Sequence, residues 1–251
     1  EARKYIPVPV SEVQLDWFIV PEVPVPGQMA PSQKVKALLV AVHNDMLALL
    51  EGVVRGASLA ATFYEIEIFS SIRSSSGHGI APVLVVDLGA ATTKMYIVER
   101  GVVRMTHSLS LGGQQMTEQL GRTLGWEFEK SERIKRERGL IDSSVYSTSE
   151  NDRIKEALLS TLSRVFSEVN RVLLSYGQRY NKNVASVILT GGGASLPGIS
   201  DIAKSSLNAQ VSIADPFSRT EAPAFLSKVL KEIGPGFSVS VGLALRSLKG
   251  S

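Results

Sequence analysis

The sequence predicts an α/β protein with a mixed sheet, and three observations carry that prediction. Short apolar runs alternate with longer stretches in which apolar residues recur three and four positions apart, the two periods of strand and helix. Hairpins are mixed in with this alternation: VLVVDLGAATTKMYIVERGVV reads as strand, polar knot and strand again, its alternation resuming at Met95 and Ile97. No fixed repeat period runs through the 251 residues, so the alternation describes a layered α/β architecture.

Taken in order, the elements read as follows. In KYIPVPVSEVQLDWFIVPEVPVPGQMAPSQ, Pro7 and Pro9 impose an extended path. Val13, Leu15, Trp17 and Ile19 then alternate as a half-buried strand would, before a proline-rich, polar loop ending at Gln33. VKALLVAV reads as a buried strand, NDMLALLEGVVRGA as a helix stopped by glycine, and ATFYEIEIFSSIRS as a short strand leading into another helix. SSSGHG is a linker. The hairpin VLVVDLGAATTKMYIVERGVV follows, with VVRMTHSLSL as a third strand. GGQQMTEQLGRTLG and EFEKSERIKRERG are helices that stop at Gly125 and Gly139. A longer helix starts near Asn151 and sets Ile154, Leu158, Leu162, Val165, Val169, Val172, Leu173 and Tyr176 at helical spacing. ASVILT is a strand that breaks into GGGASLPGI, where Pro197 reads as the first position of a helix. AQVSIADPF, a helix near APAFLSKVLKEIG and a last helix, SVSVGLALRSLKG, complete the chain.

Composition bounds the function. With 44% hydrophobic and 20% charged residues the chain has ample core for one large domain or two joined ones. A net charge of +3 gives nucleic-acid binding no support. The absence of cysteine excludes disulfides and thiolate metal sites and fits a reducing compartment. His43, His78 and His107 are scattered without ligand spacing. The most apolar stretch, VKALLVAVHNDMLALLEGVV, is interrupted by His43, Asn44 and Asp45 and does not read as a membrane span. The chain opens on Glu1 inside what reads as continuing structure, which predicts a piece of a longer protein.

Three glycine-bearing turns and one charged helix carry the candidate chemistry. The hairpin tip joins Asp87 to backbone N–H groups at Gly89, Ala90 and Ala91 and to the hydroxyls of Thr92 and Thr93. A Walker loop or a Rossmann fingerprint would lead into a helix, and this turn leads into a strand. Such a nest suits phosphate oxygens, with Asp87 holding Mg²⁺ through water or polarising a water; the plainer alternative is a tight turn with Asp87 bonded locally. Gly191, Gly192 and Gly193 directly after a strand let backbone approach a flat ligand, more glycines than a single positive-φ position needs. Gly112 and Gly113 open a helix whose start would welcome an anion. Glu132 and Lys135, three apart, share a helix face, although a charge run of this kind is ordinarily a solvated surface.

The order of these four elements resembles the actin-like ATPase superfamily. The resemblance implies an actin-like (ribonuclease H-like) two-lobed fold with mixed sheets flanked by helices, its first lobe incomplete. It implies that the hairpin is a second phosphate loop, that the Glu132–Lys135 helix covers ribose and adenine, and that the triple glycine backs the adenosine. KYIPVP, VVDLGAATTKMYIVERG, ILTGGGASLPGI, IADPF and VGLALR further resemble the PilM family of type IV pilus assembly proteins, relatives of the cell-division protein FtsA, across essentially the whole chain. On that resemblance, residues 1–33 are part of subdomain 1C, 34–80 part of 1A, 81–111 the first part of 2A and 112–183 subdomain 2B. Residues 184–251 are the rest of 2A, with the C-terminal helix returning toward 1A.

Two departures from the family pattern matter. The first phosphate loop is absent from these residues, and Ala90 and Ala91 stand where filament-forming relatives usually carry glycine. The implied function is a cytoplasmic scaffold, peripheral to the bacterial inner membrane and reaching it only through partners. It binds ATP and Mg²⁺ with at most weak ATPase activity, has no assigned catalytic residue, and serves pilus assembly and twitching motility. The implied partners are other type IV pilus assembly components and the cytoplasmic N-terminal peptide of PilN; the proline-stiffened path of Tyr5, Ile6 and Pro7 suits one wall of its groove, the alternative being that these residues pack on the strand of Val13, Leu15 and Trp17. An FtsA-like division protein and a metabolite kinase of the same superfamily are the alternatives.

Overall fold

The computed structural model describes residues 4–20, 37–76 and 79–248. They fall into two compact units, Glu1–Tyr64 and Glu65–Ser251. The loop expected between Pro21 and Gln33, the start of VKALLVAV, and Gly77 and His78 of the expected linker lie outside the described residues.

In the first unit, strand β1 (Val13–Ile19) pairs antiparallel with β2 (Ala37–His43), Val13 opposite His43 and Ile19 opposite Ala37. Helix α1 (Asn44–Gly56) follows, and the Asn44 side chain donates to the Ser11 carbonyl at 2.9 Å. The alternation expected in β1 holds at Val13 and Leu15 but not at Trp17 and Ile19, which are 64% and 56% exposed. β2, expected to be buried, is partly exposed along its length. A two-stranded ribbon covers little of its own apolar surface.

The second unit begins with α2 (Glu67–Ser75). The short strand expected ahead of this helix is absent: residues 57–66 form no strand. Glu65 instead accepts hydrogen bonds from Ser70 and from both terminal nitrogens of Arg73, so the segment ties down the first turns of α2. Strands β3 (Val83–Leu88), β4 (Thr93–Glu99) and β5 (Val102–Leu109) form a meander. Its second turn places both Arg100 and Gly101 at positive φ, the two-residue turn that suits strand twist. Helices α3 (Gly113–Leu124), α4 (Phe128–Glu137) and the 33-residue α5 (Thr148–Tyr180) come next. Then come β6 (Ser186–Thr190), α6 (Ile199–Ser206), β7 (Gln210–Ile213), α7 (Ser227–Ile233) and α8 (Ser238–Ser247).

The sheet order is β5-β4-β3-β6-β7, antiparallel on one side of β3 and parallel on the other, as the mixed reading required. Leu84, Val86 and Leu88 of β3 enter a large core with Leu120 of α3 and with Ile154, Leu158, Leu162, Val165 and Val169 of α5. Val85, with Tyr96, Val98 and Ile72 of α2, forms a smaller cluster. Burying side chains of this size contributes about 1.5–3 kcal/mol each, which is why the periodic residues dictate the layers.

The helix ends sharpen the sequence reading. Gly125 caps α3 at φ 70°, and Gly139 takes φ 56° just beyond α4, as the stops required. α5 starts at Thr148, about a turn before Asn151: Ser147 and Glu150 form a reciprocal capping box, with Glu150 N–H donating to Ser147 Oγ and Ser147 N–H donating to Glu150 Oε2. Pro197 is not a first helical position. α6 begins at Ile199 after Gly198, which takes φ 83°, while the Pro197 carbonyl accepts the Leu140 N–H at 2.9 Å.

α2 packs on α8, and one position decides how closely. A Cβ on Gly242 would lie 2.0 Å from the Ser70 carbonyl oxygen, so no larger residue fits there. Arg73 donates to the Gly242 carbonyl at 2.9 Å, and the Ser74 hydroxyl donates to the Ser238 carbonyl at 2.7 Å. The contacts group α2 with the second unit, although the boundary expected from the sequence fell at residue 80.

Candidate functional site

The hairpin tip between β3 and β4 is closed by Gly89 N–H donating to the Thr92 carbonyl at 3.0 Å. Its outward carbonyls seat on the first turn of α3: Gly113 N–H donates to Gly89 O at 2.9 Å and Gln114 N–H to Ala90 O at 2.8 Å. Gly112 makes this possible, because a Cβ there would lie 2.5 Å from both carbonyl oxygens. The Gly112 N–H is taken by the Gln115 side chain at 2.8 Å. The amides at this helix start therefore already serve the hairpin and the cap.

The glycine loop after β6 divides by residue. Gly191 has φ 80° and ψ 170°, and a Cβ on it would lie 2.3 Å from Asp87 Oδ1. A Cβ on Gly193 would lie 2.7 Å from Leu88 Cβ. Both glycines are required by packing against β3. Gly192 is exposed, and a Cβ on it would meet nothing within 4 Å. It is the position whose smallness the protein's own packing does not explain.

The loop is anchored from behind. The Pro235 carbonyl, in the turn between α7 and α8, receives Gly191 N–H at 2.9 Å, Ser238 Oγ at 3.0 Å and Thr190 Oγ1 at 3.3 Å. Ser195 Oγ donates to the Glu232 carbonyl at 3.0 Å.

Between hairpin tip, α3, α4 and glycine loop lies a cavity of about 560 Å³, within the range of small-molecule sites. Of the residues singled out by sequence, Gly89, Ala90, Gly113, Glu132, Lys135, Gly192 and Gly193 line it. Asp87, Ala91, Thr92, Thr93, Gly112 and Gly191 do not. Thr93 is fully buried and donates to the Leu111 carbonyl at 2.7 Å, so its hydroxyl fastens β4 to the approach to α3. Asp87 follows Val85 on alternate positions of β3, so it shares the face of Val85 and Tyr96 rather than that of the main core. The Tyr96 hydroxyl reaches its carboxylate at 3.5 Å, and burial pushes its pKa up.

The α4 wall is electrostatically organised. Glu132 accepts from Lys135 Nζ at 2.6 Å, Thr117 Oγ1 at 2.5 Å and Arg136 Nε at 2.5 Å. Burial opposes its charge, but these donors outweigh burial and hold its pKa at about 2. The Lys135 ammonium has three acceptors: Glu132, the Thr117 hydroxyl at 2.8 Å and the Gly113 carbonyl at 2.8 Å. All three of its protons are thus held inside the protein. Lys135 lines the cavity, and its charge is turned into the fold.

Sequence reasoning missed Phe128, Arg136 and Ser195 on the cavity wall. Phe128, Glu132 and Arg136 lie four apart on one face of α4, so the spacing that paired Glu132 with Lys135 also held a signal for them. Arg136 brings a guanidinium and Phe128 a half-exposed ring, both suited to a flat aromatic ligand. Tyr5 and Pro7 are exposed and Ile6 partly buried, all within the first unit.

A family model described as Type IV pilus assembly protein PilM matches residues 1–248. A chain of the solved PilM–PilN type IV pilus biogenesis complex is similar at TM-score 0.79 and 25% identity, over 98% of this chain and 69% of that one. MreB 5 of Spiroplasma citri bound to AMPPNP is similar at TM-score 0.59 and 15% identity, over 83% of this chain and 66% of that one. The cell division protein FtsA of Rhizobium meliloti (strain 1021) is 28% identical over 182 residues, 64% of this chain and 39% of that protein. The chain thus spans about two-fifths of the length of that curated relative. Together these likenesses make the fold the actin-like one.

Proposed function

Because the chain belongs to the PilM family of type IV pilus assembly proteins, we propose that it is a nucleotide-binding scaffold of the pilus machinery that docks the N-terminal peptide of a PilN protein. The observation that carries the reading is the family match over residues 1–248, where the FtsA relative accounts for 64% of the chain. The solved relative is a chain of a PilM–PilN type IV pilus biogenesis complex, which supports PilN as the partner class. Among the described residues no helix is long and apolar enough to cross a membrane.

ATP is the ligand proposed for the cavity. The open backbone at Gly192, the Phe128 ring and the Arg136 guanidinium support a base and ribose between the glycine loop and α4. Asp87 would hold Mg²⁺ through water, since its carboxylate abuts Gly191 instead of lining the cavity and receives one long contact from Tyr96. Bound to the metal, phosphate oxygens would gain a neutralising charge.

Calorimetric titration of this chain with ATP, and separately with a synthetic peptide of the PilN cytoplasmic N-terminus, tests the reading. Binding of both is the expected result. Absence of peptide binding by a folded, nucleotide-competent protein would overturn the scaffold role, and absence of ATP binding would overturn the nucleotide role.

A further inference from the structure

Thr117 lies one turn into α3, is fully buried and does not line the cavity. A threonine there has an ordinary explanation, a bond from its hydroxyl to the carbonyl four residues earlier, and Gly113 O is indeed 3.0 Å away. That explanation is incomplete. The same oxygen is 2.5 Å from Glu132 Oε2 and accepts from Lys135 Nζ at 2.8 Å, both on α4. The hydroxyl therefore donates across the helix pair to a carboxylate and accepts from an ammonium, the stronger, charge-assisted kind of bond.

The ammonium so held continues to the cavity. Lys135 Nζ also donates to Gly113 O, and the N–H of that same glycine donates to Gly89 O at the hairpin tip. Gly113 is gripped on its carbonyl side by α4 and on its amide side by the hairpin. A Cβ at Gly113 would come within 3.3 Å of Lys135 Nζ, so the ammonium uses the room that glycine leaves. Bonds in such a series polarise one another, and an unpaired member in a buried site is costly.

We infer that Thr117 is a positioning residue: through the Glu132–Lys135 pair and the Gly113 peptide it fixes the hairpin tip, and with it the Gly89–Ala90 wall of the cavity. It touches no ligand itself. Without the hydroxyl, Lys135 loses one of three acceptors and Glu132 one of three donors, and the grip on Gly113 loosens. Only the affinity consequence rests on the nucleotide reading; the effect on the hairpin does not.

Amide exchange followed by NMR on the whole chain tests this in Thr117→Val, which keeps the shape and removes the hydroxyl, and in Thr117→Ser, which restores it. In Thr117→Val the Gly113 and Gln114 amides should exchange at least about tenfold faster, the mark of local rather than global opening, while amides of α5 stay as in wild type. Thr117→Ser should return both to wild-type rates. Rates within about twofold of wild type in Thr117→Val would overturn the proposal, with or without nucleotide binding. If ATP binds the wild type, its affinity should fall about fivefold or more in Thr117→Val and recover in Thr117→Ser. Should valine unfold the chain, the wild type still decides. Its Lys135 ammonium signal should be slowly exchanging, whereas an ammonium exchanging as fast as an exposed lysine's would overturn the inference.

Discussion

A methyl group on Gly193 would meet Leu88 Cβ at 2.7 Å and its carbonyl oxygen at 2.9 Å, whereas one on Gly192 would meet nothing within 4 Å. Gly193→Ala should therefore lower unfolding stability by about 1–3 kcal/mol, the usual range for forcing atoms into a packed site. Gly192→Ala should leave the denaturation midpoint unchanged and weaken ATP binding, because its methyl enters the cavity. Urea unfolding and nucleotide titration of the two variants separate these outcomes. Glu132 supplies a pH test. Its folded pKa of about 2 lies below the ordinary value of 4.5, so its contribution is complete above that value and is lost as pH falls toward 2. Glu132→Gln should flatten the stability loss across that window when urea midpoints are compared from pH 5 to pH 2.5. Asp87 has the opposite sign: burial raises its pKa, so its charge opposes folding at neutral pH, and Asp87→Asn should raise the melting temperature while abolishing any Mg²⁺ response. At this scale much of the site was legible. The spacing of Glu132 and Lys135 gave a shared face, and three glycines gave a close approach. Spacing could not say that Lys135 points inward and Arg136 outward, because that depends on where α3 lies. Nor could it separate Thr93, bonded to the Leu111 carbonyl, from Ala90 three positions before it that does reach the cavity wall.

Elements were read more securely where burial repeats over several turns. The apolar positions of α5 placed it without ambiguity, yet its start slipped by about one turn, since Ser147 and Glu150 signal through hydrogen bonds and not through hydrophobic period. Ser147→Ala should cost about 1 kcal/mol, as removal of an N-cap hydroxyl commonly does, measurable as a shift in urea midpoint. The segment before α2 misled for a related reason. Phe63, Tyr64, Ile66 and Ile68 have strand-forming side chains, but Glu65 accepts bonds from Ser70 and Arg73, and from Arg246 on α8, making the segment an anchor for helices. Helix α8 gives a sharper test of packing against propensity. Alanine is favoured over glycine in a helix by about 1 kcal/mol. At Gly242, however, its Cβ would fall 2.0 Å from a backbone oxygen of α2, so Gly242→Ala should instead destabilise by about 3 kcal/mol or more.

For the whole molecule, the residue pattern gave an α/β protein with a mixed sheet, and the resemblance of its hairpin, helices and glycine loop, in that order, to the actin-like superfamily gave the fold. The first unit was less legible: Trp17 and Ile19 read as the buried face of a strand in the sequence and are exposed in a two-stranded ribbon. The proposed peptide wall lies in that unit, and the cavity is lined by residues of the second. Truncating the exposed Tyr5 to alanine should weaken PilN-peptide binding by more than about 1 kcal/mol, the mark of an interface anchor, and leave ATP affinity as it was. Parallel titrations of both ligands into Tyr5→Ala check this, and an equal loss for both would place the proposed groove elsewhere. The Pro235 carbonyl carries a mechanical consequence. One oxygen accepts from the glycine loop, from the end of β6 and from the first residue of α8. Tension applied along α8 would thus reach the cavity-lining loop through this oxygen and through the bond between the Ser238 and Thr190 hydroxyls, making that small cluster the point where a pull on the C-terminal helix is felt in the cavity.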